Sequence, residues 1–478
     1  MDRLDQGTLP RRCDVLVIGA GVSGLAAARD IQRAQPELDV QIIDVAPQAG
    51  GKLRSGELAG VRIDLGAEAV IARRPEGLAL IEDLALGEQV HHPGPGAAQV
   101  LGSGGPVGLP ADTLMGVPSS VESVAASGVL SDAGLQRLES AVAGGELGDD
   151  ASVAEVIGGQ LGSEVVDRLV EPLLAGVYAG RADRLSLRAT IPPLWAALQH
   201  SSNVIDAVGA VRRNSPSQSG PVFATVDGGI GSLPAAMISR DDLAVSLGTA
   251  ARSIERTADG FAVAVGAVPE HRAIQAGQVV VATQPQKASR LLADVAPLAS
   301  RELADVATSS MAVIALAFRR SDLDAAPSAS GLLIPVSAGT AVKAFTFVTT
   351  KWPHLTDDYV IVRASIGRVG EDVVLQRDDT ELVESARADL AALTGITAAP
   401  VDAVVQRWAG SLPQYDVGHL ARVERIRAAV DAVPGLAVAG ATYDGVGIPG
   451  CLNSAAYAAQ QIIEHHRIQQ RRYGKETS

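Results

Sequence analysis

Three glycines and a carboxylate carry the first chemistry legible in this chain. Gly19-Ala20-Gly21-Val22-Ser23-Gly24 fits G-x-G-x-x-G, and Asp44 lies twenty residues beyond Gly24. In such a loop each glycine has its own task. Gly19 permits the tight turn, Gly21 lets the backbone approach a pyrophosphate, and Gly24 lets a helix pack on the strand before it. The helix start at Val22 and Ser23 then offers free N–H groups and a positive dipole end to the phosphates. Asp44 stands where a carboxylate can accept ribose hydroxyls and disfavour a 2′-phosphate. The chemistry indicated is dinucleotide binding.

Glycine turns are common, so the motif needs flanking elements to carry weight. Asp14-Val15-Leu16-Val17-Ile18 reads as a buried strand. Leu25, Ala28 and Ile31 share one helical face. Val40–Ile43 reads as a second strand that delivers Asp44. Strand, turn, helix, strand and acid therefore come in the order a nucleotide-binding unit requires.

Composition bounds the rest. The 478 residues allow two or three domains, and 47% hydrophobic against 20% charged residues supplies a large core. Aromatics are only 3%, so aliphatic side chains must do most of the packing. A net charge of −14 with no long basic run argues against nucleic acid, and requires local cations for any anionic substrate. The two cysteines, Cys13 and Cys451, are too few for a metal framework, and Cys13 is expected far from Cys451, so a reducing cytoplasm is expected. Met1 to Arg12 has no apolar core and does not read as a signal peptide. Met311–Phe318 is too short to span a bilayer and reads as a buried strand, which leaves at most peripheral membrane contact.

Along the chain, residues 1–86 read as the first part of a nucleotide-binding domain, 87–118 as the first part of a substrate domain, and 119–207 as a helical insert, a possible membrane-proximal domain. Residues 208–220 read as a linker, 221–297 as the return of the nucleotide-binding domain, 298–425 as a strand-rich second part of the substrate domain, and 426–478 as the closing part of the first domain. The fold class expected is α/β: a Rossmann-like domain assembled from discontinuous segments, with an α+β substrate domain built on an antiparallel sheet. Val121 to Leu198 shows helical spacing, including Leu135-Leu138-Val142; helices are expected over Leu78–Leu86, Thr380–Leu393 and Leu452–Gln469. His91-His92 and His465-His466 lack convergent metal spacing and are assigned surface or packing roles, so no metal site is expected.

Further motifs bring a family into view. Ala49-Gly50-Gly51-Lys52-Leu53-Arg54-Ser55 and then Asp64-Leu65-Gly66-Ala67-Glu68 resemble the flavin-containing amine oxidase superfamily. Gly116-Val117-Pro118-Ser119-Ser120, Glu171-Pro172 through Tyr178-Ala179-Gly180, Leu412-Pro413-Gln414-Tyr415 through Gly418-His419, and Gly445-Val446-Gly447-Ile448-Pro449-Gly450-Cys451 narrow the resemblance to the protoporphyrinogen/coproporphyrinogen oxidases. Asn453-Ser454-Ala455 departs from that family's A-S-G.

The resemblance implies non-covalent FAD, held by Gly19, Gly21, Val22, Ser23, Gly24 and Asp44. Gly50, Gly51, Lys52, Gly66 and Ala67 are implied on the flavin side, the backbone of Ala250 or Ala251 on the adenine side, and Gly440, Val446, Gly447, Ile448 and Pro449 beneath the ring. It implies oxidation of coproporphyrinogen III by molecular oxygen in haem biosynthesis, with protoporphyrinogen IX oxidation or amine oxidation as alternatives. Ferrochelatase, the next enzyme of that pathway, is the implied protein partner. The chemistry is flavin-mediated, so no catalytic side chain is assigned. For the substrate carboxylates, Arg74 and its neighbour Arg73 are the candidates, because they follow the third glycine turn closely and arginine matches a carboxylate's two oxygens.

Overall fold

A computed structural model describes residues 9–145, 147–214, 220–267 and 272–476. The first eight residues of the chain, the linker residues 215–219 and the last two residues lie outside the described part.

The first sheet has seven strands drawn from distant parts of the chain. Arg12–Ile18 pairs in parallel with Val40–Ile43 on one side and with Arg272–Val281 on the other. Ala244–Ser246 extends the parallel set past Val40–Ile43, and Leu436–Val438 pairs in parallel with the last residues of Arg272–Val281. The first half of Arg272–Val281 belongs instead to an antiparallel meander with Gly260–Val265 and Ala251–Thr257.

The apolar run of the first strand follows from this placement. Side chains alternate between faces of a strand. Val15 and Val17 join a core beneath the helices Val22–Ala34 and Ile448–Glu476. Leu16 and Ile18 join a second core with the helices Pro285–Leu292, Pro297–Ala304 and His419–Asp431. Both faces are covered, so no position of the run is left for a polar residue. Arg29 and Arg33 on the first helix each pair with Asp83 and Asp241, which ties that helix to Pro75–Asp83 and Leu233–Asp241.

A second seven-stranded sheet runs in the order Asp402–Pro413, Thr308–Arg319, Tyr359–Ile366, Val342–Phe347, Gly331–Leu333, Ala98–Gly102 and Gly105–Gly108. Its pairings are antiparallel except that of Gly331–Leu333 with Ala98–Gly102. One face packs under the helix Asp379–Thr394, whose start is fixed by a reciprocal cap between Asp378 and Glu381. The other face contributes Ala315, Ala317 and Ile361 to a core with Leu58, Ile63 and Leu65, close to the third glycine turn. A three-stranded sheet of Val70–Ile71, Phe223–Val226 and Val90–His91 joins early and middle segments of the chain.

From Val121 to Asn214 the chain is mainly helical, with a core of its own that includes Leu138, Ile157, Leu169, Leu174, Trp195 and Val208. Two details differ from the spacing argument. The helix Asp132–Glu139 stops before Val142, which is exposed, and the chain leaves it to reach Ser202, whose carbonyl accepts from the Gly144 N–H at 2.7 Å. Val204–Asn214 remains helical well into the predicted linker. No helix among the described residues is long and apolar enough to cross a membrane.

Candidate functional site

The three glycines of the loop are constrained in three different ways. Gly19 has φ +116°, and a Cβ there would lie 2.4 Å from the carbonyl oxygen of Ala282. At Gly24 a Cβ would lie 1.8 Å from the carbonyl oxygen of Gly19, so the helix sits directly on the turn. Gly21 faces open space, with nothing within 4 Å of its would-be Cβ. It is also the N-cap of Val22–Ala34 and supplies no side-chain cap. The N–H groups of the first turn, Val22 and Ser23 among them, are left to an external acceptor.

The other turns converge on this loop. Gly50 bridges to Gly21, its N–H donating to the Ala20 carbonyl at 2.7 Å, and a Cβ on Gly51 would lie 3.3 Å from the Gly21 Cα. The Asp44 carboxylate accepts from the Ala20 N–H at 2.7 Å and the Ala46 N–H at 2.8 Å. Each oxygen keeps a lone pair for a further donor, and the group is locked beside the loop. Thr249 N–H donates to the Asp44 carbonyl, and Gly266 N–H to the Ala250 carbonyl, so Ala250 follows directly on this corner.

Lys52 is the unusual group. Its Nζ donates to the carbonyl of Ser411, and it forms no ion pair among the described residues. Burial pulls its pKa down. Cys451 lies beside it and also bonds Ser23, with its thiol pKa raised by burial. The glycine loop, the second turn and the start of Ile448–Glu476 thus share one place. Gly66 closes against Lys52: a Cβ there would lie 2.0 Å from the Lys52 carbonyl oxygen, which accepts from the Ala67 N–H. Arg363 donates to the Gly66 carbonyl at 2.8 Å, and the Trp408 indole to that of Leu65 at 3.0 Å. Lys351 and Arg363 both pair with Glu68; burial opposes the Glu68 charge, but the two cations outweigh it and its pKa falls. Lys351, Arg363 and Trp408 were invisible in the sequence, since they sit hundreds of residues from the turn they brace.

The last turn rests on a polar brace. Tyr415 accepts from the Gly445 N–H at 2.8 Å and donates to the Ala441 carbonyl at 2.7 Å. His419 stacks on Tyr415 at 4.0 Å, and its Nε2 meets the Thr442 carbonyl at 2.8 Å. Burial lowers the His419 pKa to about 4, so it is the neutral ring that donates. Gln414 donates to the carbonyls of Tyr178 and Leu412. A Cβ on Gly180 would collide with the Gln414 amide oxygen. Gly440, at φ +140°, donates its N–H to Ser454 Oγ at 2.6 Å. Val446 packs on the helical region's core and Ile448 on that of the first sheet. The last helix begins at Ile448 rather than Leu452, so Ile448 and Pro449 lie in its first turn and Gly447 just precedes them. Proline is tolerated there because the first-turn N–H groups lack helical partners.

The arginine pair stands apart from this convergence. Arg74 pairs with Glu76, which also accepts from Asn453 at 3.1 Å, and Arg73 donates to the Gly220 carbonyl; both arginines are exposed.

An uncapped helix start, open space at Gly21 and a half-buried cation with no carboxylate partner among the described residues together fit an anionic dinucleotide. Comparison with known proteins names it. Residues 22–463 match the family described as flavin containing amine oxidoreductase. The chain belongs to this family: it is an oxidoreductase with FAD as its cofactor. Within the family it stands with the porphyrinogen oxidases. It is 35% identical to the coproporphyrinogen III oxidase of Mycobacterium leprae (strain TN) over 452 residues, 93% of this chain and 97% of that protein. It is 27% identical to the coproporphyrinogen III oxidase of Bacillus subtilis (strain 168) over 94% of this chain and 98% of that protein. A crystal structure of an Exiguobacterium sp. 255-15 protein, described as a protoporphyrinogen oxidase, superposes with a TM-score of 0.83 at 28% identity, over 95% of this chain and 99% of the other.

Proposed function

We propose that this chain oxidises coproporphyrinogen III to coproporphyrin III in haem biosynthesis, with molecular oxygen as acceptor. Three oxygen molecules take up the six electrons and six protons lost by the macrocycle, giving three of hydrogen peroxide. The observation that carries this reading is the near end-to-end similarity to relatives named for that reaction. Bound FAD supplies the redox chemistry, by accepting hydride equivalents and passing electrons to oxygen.

The chain's own part is to hold and polarise. Gly19, Gly21 and Gly24 shape the loop, and Val22 and Ser23 offer N–H groups to the pyrophosphate. Asp44 takes the ribose, and the Ala250 backbone the adenine. Lys52 supplies a half-buried positive charge, with Gly50, Gly51, Gly66 and Ala67 forming the walls around it. Gly440 and the Val446–Pro449 turn start the last helix, whose positive end favours negative charge on the reduced ring. Arg74, with Arg73 beside it, is proposed to grip a substrate propionate at the rim, in competition with Glu76. We place the enzyme in the cytoplasm, with its product handed to ferrochelatase.

Oxygen uptake by the purified yellow protein tests the reaction class. Coproporphyrinogen III should drive uptake and porphyrin fluorescence, and amines should not. Uptake with an amine and none with a porphyrinogen would overturn the proposal.

A further inference from the structure

Away from the glycine turns, three residues distant in sequence meet. His91 ends the short strand Val90–His91, and Asp227 directly follows its partner strand Phe223–Val226. His354 lies beyond the helix Val348–Lys351, in the segment that joins two strands of the second sheet. The His91 and His354 rings stack at 3.7 Å with planes 10° apart, and Trp352 meets His354 edge-on at 6.4 Å. His91 Nε2 lies 2.6 Å from an Asp227 oxygen. One ligand atom from each of the three residues lies within 4.8 Å of the other two.

We propose that His91, Asp227 and His354 form a site for a divalent transition-metal ion of the zinc class, which clips the strand pair Val90–His91/Phe223–Val226 to the second sheet. Two imidazoles and one carboxylate, with a water in the fourth position, make a tetrahedral set suited to zinc. The nitrogen ligands disfavour magnesium and calcium, which take oxygen. Bonds of about 2.0–2.1 Å place tetrahedral ligand atoms about 3.3 Å apart. The stacked rings aim their lone pairs along nearly parallel planes, so coordination requires the exposed His354 side chain to turn out of the stack and bring its nitrogen to an ion held by His91 and Asp227. In the metal-free arrangement the hydrogen bond between His91 and Asp227 occupies part of the ion's place. Neighbouring histidines in the sequence pointed away from this site; the ligands come instead from residues 91, 227 and 354, which only the fold assembles. None of the three belongs to the glycine turns, so the site stands or falls separately from the proposed reaction.

The test is calorimetric titration of zinc chloride into chelator-treated, FAD-loaded full-length protein. One equivalent should bind saturably. Affinity should fall by more than about tenfold in His354→Ala and in His91→Ala. The control His466→Ala, in the second histidine pair beside Glu37, should bind as the parent does. Asp227→Asn, at an exposed position, tests the third ligand without threatening the fold, and retained flavin absorbance certifies each variant. Zinc should also raise the melting temperature of the parent but not of Asp227→Asn. Absent saturable binding, or unchanged affinity in His354→Ala and Asp227→Asn, would overturn the proposal.

Discussion

Gly21→Asp separates cofactor binding from folding, because the two effects have opposite signs at this position. Gly21 has φ −72° and ψ 173°, an extended conformation open to any residue, and a Cβ there meets nothing within 4 Å. Aspartate is also a better N-cap than glycine, by a few tenths of a kcal/mol. The apoprotein should therefore fold and melt at the same temperature or slightly higher. The cofactor should suffer the reverse. A carboxylate would stand where the pyrophosphate approaches the helix start. One unit charge about 4 Å from another costs about 4 kcal/mol at an effective dielectric near 20, or about a thousandfold in affinity. Loss of the uncapped N–H groups to the new side chain adds to this. The assay pairs the ratio of flavin to protein absorbance after purification with the melting temperature of the apoprotein. Gly24→Ala is the contrast: its Cβ would lie 1.8 Å from a backbone oxygen, so stability itself should fall. Full flavin content in Gly21→Asp would refute the placement of the pyrophosphate at Gly21.

Other changes probe the rest of the cradle. Lys52→Met removes a half-buried cation with no carboxylate partner among the described residues, so the apoprotein should melt higher while FAD is held at least about tenfold more weakly; equal stabilisation of both forms would argue against a cofactor role. His419 has a native pKa of about 4 against an ordinary 6.5, so the unfolded chain takes up its proton first on acidification. Stability from this group is full above pH 6.5 and lost as pH falls towards 4, by about 3 kcal/mol at most. Urea midpoints at pH 7 and pH 5 should thus diverge less in His419→Gln than in the parent; an equal divergence would remove His419 as a contributor. Arg74→Ala should raise KM for coproporphyrinogen by about 10- to 150-fold with little change in kcat. An unchanged KM would leave Arg74 as the partner of Glu76 alone.

What could be read from the sequence was local. Val15 to Ile18, the glycine spacing and Asp44 declare themselves because strand, turn and helix are consecutive. The last helix starts four residues earlier than expected because Pro449 suits a first turn, where a proline looks like a boundary. The strand Asp402–Pro413 leaves little trace in the sequence, since it lies at a sheet edge and carries Arg407 and Trp408 amid few apolar runs. The helix His419–Asp431 was hidden by its weak amphipathic pattern, with His419 itself turned inward. Arg272–Val281 is longer than its apolar end, Gln278 to Val281, because its first half pairs as an antiparallel ribbon with exposed Arg272 and Ala273. Contacts such as Arg363 on Gly66, Gln414 on Tyr178 and His354 on His91 depend on how the sheets meet, which no local pattern records.

The central claim is that a porphyrinogen with four propionates is oxidised here at a flavin. Steady-state kcat/KM for coproporphyrinogen III and protoporphyrinogen IX, measured side by side with peroxide counted per porphyrin formed, tests it most directly. The higher kcat/KM is expected with coproporphyrinogen III, together with three peroxides per porphyrin. A preference for protoporphyrinogen IX, or porphyrin formed without peroxide, would contradict it.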